Sequence, residues 1–154
     1  MFESCCSPYE SAHLLRARYG LPVELFADRP LITVGAAIEA LTVPEPLARG
    51  LHARLAWLPA TPAVADPRDR RRTFLLAPPM PYRPVPQRLR RFLHANGVTI
   101  PLPGSRIMLP VSDHPSEWHW VSEPESGALR LPPRAVVLAA ARLSILQRAD
   151  PIPA

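Results

Sequence analysis

The chain has 154 residues, 47% of them hydrophobic and 20% charged, which suits one folded domain built on one core. No apolar run approaches the roughly 20 residues of a membrane span, and no basic stretch precedes an apolar one at the N-terminus. Neither a membrane segment nor a secretory signal is therefore expected, and a cytoplasmic location is the default; the formal net charge is +5 and the pI about 10.2.

All 18 basic residues are Arg, a usage that fits the coding bias of a high-GC genome. It still favours phosphate, because the planar guanidinium pairs bidentately with phosphate oxygens. The adjacent Cys5 and Cys6 form neither a C-x-x-C metal hook nor a disulfide framework, and are read as reduced thiols. Twenty-two prolines imply short elements joined by stiff connectors.

In chain order, Ser7-Pro8-Tyr9-Glu10 reads as a capping box with proline at the first helical position, opening a helix over 8–19 that Gly20 stops. Ala12, Leu15 and Tyr19 mark its apolar stripe. Residues 31–34 and 38–43 are β-branched apolar runs split by Gly35, expected as a hairpin-like pair or one bulged strand. Pro44 and Pro46 then open a helix to residue 58, whose face is Leu47, Leu51, Leu55 and Leu58. Residues 59–72 are expected as a loop carrying Arg68, Arg70, Arg71 and Arg72, with a buried strand over 73–77.

Five prolines within residues 78–86 predict an extended, polyproline-like connector. A third helix over 85–96 turns Leu89, Phe92 and Leu93 inward and Arg88, Arg90 and Arg91 outward, with Gly97 closing it. Short strands are expected at 98–100, 107–109 and 118–121. A last helix over 133–148 is apolar almost all round and expected to be largely buried, with a frayed tail behind it. Four helices interleaved with short strands make this α+β rather than a repeating α/β fold.

The order of several pieces resembles the N-terminal domain of bacterial bifunctional primase-polymerases, and in particular short stand-alone relatives from high-GC bacteria. The pieces are residues 35–44 with the helix after them, Thr61-Pro62, Arg71-Arg72-Thr73-Phe74-Leu75-Leu76-Ala77-Pro78, residues 93–97, Leu109-Pro110-Val111-Ser112, and Trp118-His119-Trp120. They span about residues 30–125. The resemblance implies a primase-polymerase-like mixed sheet flanked by about four helices, over residues 30–148. Residues 1–29 are then an N-terminal helix and lead-in, and 149–154 a flexible tail.

In that family, acidic side chains hold the divalent cations that carry the nucleotide chemistry. The acid pair of the resembled strand falls here on Thr42 and Pro44, and the third acid near Pro101. None is a carboxylate, so the resemblance implies a domain without catalytic metal acids and without a cofactor. An active polymerase would need Mg²⁺ or Mn²⁺ held by acids elsewhere in the chain. The family's phosphate-contacting His falls near Arg72, an arginine that can still bind phosphate.

Two clusters carry the remaining chemistry. Arg70, Arg71 and Arg72 are candidates for tracking a phosphate backbone, against the plainer reading of a solvated charged loop. Within residues 112–120, Ser112 and His114 are candidate phosphate ligands, and Trp118 and Trp120 candidates for stacking a base. The plainer reading puts both tryptophans in the core; a metal reading would use Asp113, His114, Glu117 and His119. The sequence thus points first to a non-catalytic domain binding single-stranded DNA or nucleotide. The alternative is a protein-interaction or regulatory domain that presents the proline connector with Met80 and Tyr82 to a protein partner.

Overall fold

The local signals of the first segment act as the sequence requires. Ser7 takes an extended conformation and its hydroxyl accepts the backbone N–H of Glu10 at 3.2 Å, so α1 runs Pro8–Tyr19. Gly20 ends it in the left-handed region at φ 68°, its N–H donating to the Arg16 carbonyl. A computed structural model of the chain describes residues 2, 7–35, 37–58 and 60–149. Cys5, Cys6 and the tail from residue 150 lie outside the described residues.

After α1 come β1 (Glu24–Phe26), β2 (Arg29–Thr33), β3 (Glu39–Pro44), α2 (Glu45–Arg54), β4 (Ala63–Ala65) and β5 (Arg71–Leu76). Then follow α3 (Gln87–Ala95), β6 (Arg106–Met108), β7 (His119–Ser122) and α4 (Arg134–Ala149). The α+β class, with four helices among the described residues, matches the expectation from sequence. The strands divide between two sheets, a small one in the order β1-β2-β6 and a larger one in the order β3-β5-β4-β7. Every strand pairing in them is antiparallel.

The larger sheet is covered on both faces. Alternation along β3 and β5 turns Leu41, Val43, Phe74 and Leu76 toward the core formed with α2, α3 and α4. Ala40 and Leu75 turn the other way, into a second core with α1 and the small sheet. Two-sided burial explains why β4 and the middle of β5 read as unbroken apolar runs rather than alternating ones. It also makes the N-terminal segment part of the architecture, since Ala12, Leu15 and Tyr19 are fully buried in the second core.

Several expected elements differ. The runs at 31–34 and 38–43 are not a hairpin: β2 pairs with β1 and β6, β3 with β5, and the chain passes from one sheet to the other between them. The hairpin is β1–β2, turned by Ala27 and Asp28 at φ 50° and 60°, a two-residue left-handed turn without the usual glycine signal. Residues 63–65, expected within a loop, form a strand between β5 and β7. The segment at 98–100 makes only a two-bond bridge from Thr99 to Thr42. The second helix ends at Arg54, and Leu55 is buried in the turn that follows. α4 buries one face, with Val137, Leu138, Ala141 and Ile145 inward; Leu143 and Leu146 are exposed.

Candidate functional site

The positions to which the primase-polymerase resemblance assigns chemistry lie on β3, on β5 and after α3. Thr42 and Thr73 are cross-strand partners whose hydroxyls lie 3.2 Å apart. Pro44 is opposite Arg71, so Thr42, Pro44, Thr73 and Arg71 share one face of the sheet. Arg72 is opposite Val43 and turns to the other face. There its guanidinium lies 3.6 Å from Glu45 and 3.5 Å from Asp69, and its side chain is only 12% exposed. Arg72 thus faces acids of its own chain at ion-pair distance, with its buried Nε lacking a hydrogen-bond partner, while Arg70 and Arg71 are exposed. Pro101 lines a pocket that neither Thr42 nor Arg72 reaches.

His52 of α2 sits against this arginine. Its ring meets Phe74 edge-on at 6.0 Å, and burial first, then the nearby Arg72 charge, hold its pKa below the usual imidazole value.

Ser112 and His114 belong to a different place. They line a broad cleft of about 630 Å³ with Ser7, Ser11, Arg29 and Glu117, at the start of α1. None of Arg70, Arg71, Arg72, Trp118 or Trp120 lines it. The Ser112 hydroxyl accepts the backbone N–H of His114 at 3.0 Å, and His114 Nδ1 lies 2.6 Å from the Ser116 hydroxyl. These polar groups brace one turn on one another. Asp113 accepts the backbone N–H of Phe2 at 3.0 Å, which holds its carboxyl below the usual range. Among the described residues no three of His, Cys, Asp and Glu are grouped to hold a metal ion, so Asp113, His114, Glu117 and His119 do not converge as a ligand set.

Trp120 is half-buried and meets Tyr19 edge-on at 6.2 Å, with its indole nitrogen buried and unpartnered. Its ring is therefore occupied on the core side. Trp118 is half-buried just before β7. The Tyr19 hydroxyl donates to Glu123 at 2.9 Å; burial and that carboxylate push its pKa strongly upward.

Sequence reasoning missed two features. The first is charge segregation. Residues 70–112 carry eight arginines and no acid, leaving ten arginines against thirteen acids for the rest of the chain. Of those eight, Arg70, Arg71, Arg83, Arg88, Arg91 and Arg106 are exposed. Pro44 links β5 to the end of α3: it is the cross-strand partner of Arg71, and Gly97, just past α3, is so close that a Cβ there would stand 3.1 Å from the proline ring. Gly97 has φ +80°, so glycine serves both the helix stop and this approach. Counting acids along a window, rather than arginines alone, would have found this signal.

The second is a pocket of about 230 Å³ beneath the connector over residues 78–86. Val34, Val85, Ile100, Pro101 and Pro103 supply apolar walls, and Tyr82, 54% exposed, stands at its rim. Its charged lining is Glu39, Arg134 and Arg90. Glu39 and Arg134 are both buried and paired through one nitrogen, Arg134 Nη1 donating to both carboxylate oxygens at 3.0 and 3.1 Å. Arg134 Nη2 donates to the Arg83 carbonyl, and its guanidinium lies 5.8 Å from the Tyr82 ring centre. No sequence signal links residues 39 and 134.

No protein-family model matches the chain, and neither the curated proteins nor the solved structures give a significant match. No helix among the described residues is long and apolar enough to cross a membrane.

Proposed function

We propose that this is a non-catalytic nucleic-acid-binding domain that engages the phosphates of single-stranded DNA, or of nucleotides, through the exposed arginines of residues 70–112. The observation that carries the reading is a stretch of sequence, residues 70–112 across β5, the connector, α3 and β6, that holds eight arginines and no acid, six of those arginines being exposed. A surface with one sign of charge attracts a polyanion by releasing condensed counterions, and guanidinium is the side chain best shaped for phosphate. Arg70, Arg71, Arg88 and Arg91 are the contacts of this reading. Arg72 is a supporting residue, tied to Glu45 and Asp69. Ser112 and His114 form a separate cleft and contribute little to the affinity.

The primase-polymerase resemblance belongs to the same reading. With Thr42 and Pro44 where that family carries its acid pair, primer extension in Mg²⁺ or Mn²⁺ is expected to be absent. Fluorescence anisotropy of a labelled oligothymidylate tests the binding. Saturable binding that weakens steeply with salt supports the reading, and no binding at low ionic strength overturns it. A protein partner is the second reading, favoured by one observation: Met80, at 88% exposure, and Tyr82 project from the connector. Capture of a partner that survives nuclease treatment, by wild type but not by Met80→Ala/Tyr82→Ala, would favour it.

A further inference from the structure

We propose that the pocket beneath the proline connector is a binding site for a small organic monoanion: a flat apolar body carrying one carboxylate. This inference does not rest on nucleic-acid binding.

The charges of the pocket decide the sign. Glu39 and Arg134 cancel each other, and both Nη groups of Arg134 are committed, one to Glu39 and one to the Arg83 carbonyl. Arg134 therefore has little left to offer a ligand. Arg90 is different. It lies on α3, and its Nη1 donates to the Ile100 carbonyl at 3.2 Å. Among the described residues it has no carboxylate partner. A guanidinium has five N–H donors, so Arg90 keeps most of its fork for an anion. The net lining charge is one positive, and that charge is Arg90.

The walls decide the rest of the ligand. Apart from these groups and Tyr82, the lining is aliphatic side chains, proline rings and Gly35, which reward an apolar body and offer a neutral polar one few partners. A volume of about 230 Å³ exceeds the roughly 150 Å³ that holds benzene in an engineered cavity. It falls below the roughly 300 Å³ at which drug-sized sites begin. One ring with a carboxylate fits that interval; a whole nucleotide does not. Tyr82, the one aromatic residue of the lining, adds a ring for a flat body to pack against.

The experiment is a ¹H–¹⁵N NMR titration of the full chain with benzoate. Benzyl alcohol carries the ring without the charge, and acetate the charge without the ring. Benzoate is expected to shift the amides of Gly35, Arg90 and Ile100 saturably, at least about tenfold more tightly than either control, the span of one charge-assisted hydrogen bond. Arg90→Gln is expected to lose that advantage, while Arg91→Gln, an exposed neighbour on the same helix, keeps it. The control ligands act on the wild-type chain, so the result stands even if Arg90→Gln folds poorly. Three results would overturn the proposal: no saturable shift at these amides, equal binding of benzoate and benzyl alcohol, or benzoate shifts confined to the exposed arginines around Arg70 and Arg71.

Discussion

Glu39 and Arg134 hold each other where neither is stable alone. Both are more than nine-tenths buried, so removing one leaves an uncompensated charge that has lost its water. Glu39→Ala and Arg134→Ala should each cost about 3–5 kcal/mol, and the double variant distinctly less than their sum. Urea unfolding of the four proteins measures that coupling. His52 makes a pH-dependent statement on the same scale. Its pKa lies below the usual 6.5, so between the two values the unfolded chain binds the extra proton. The contribution of His52 is therefore full above pH 6.5 and is lost as pH falls from there through the folded value. An NMR titration of the imidazole should give a value below 6.5, and Arg72→Ala should raise it by removing one of its two causes.

Among the elements, those whose signals are local were legible and those whose partners lie far along the chain were not. α1 follows from its own cap, proline and glycine stop. Ser7→Ala should cost about 1 kcal/mol, read as a lower melting temperature, because one helical N–H loses its acceptor. β1 and β4 are three residues each, too short for any period to register. β4 exists because β5 and β7 flank it, and the β1–β2 turn uses Ala27 and Asp28 where Asn-Gly would have announced it. The runs either side of Gly35 suggest a hairpin-like pair or one bulged strand because both are apolar and close in sequence; only the two-sheet packing separates them. α4 looked apolar all round because its exposed Leu143 and Leu146 carry no mark of their own exposure.

At the scale of the whole molecule, the candidate site was half legible. Arg70 and Arg71 were visible as a charged run and are exposed. The commitment of Arg72 to Glu45 and Asp69 was not visible, because strand alternation sends neighbours to opposite faces and only the pairing register says which face is free. The separation of Ser112 and His114 from the arginines is likewise a product of topology. The excess of charge is not: a chain of net charge +5 that concentrates eight positive charges within residues 70–112 carries its polarity in its sequence.

That polarity is the central claim, and salt dependence tests it most directly. With labelled oligothymidylate of about 20 nucleotides, log K should fall linearly with log salt concentration between about 50 and 200 mM, with a slope near −3 for about four phosphates neutralised. Replacing Arg88 and Arg91, or Arg70 and Arg71, by alanine should each reduce the slope by about 1.4. Binding that ignores salt, or slopes unchanged in both double variants, would contradict the account.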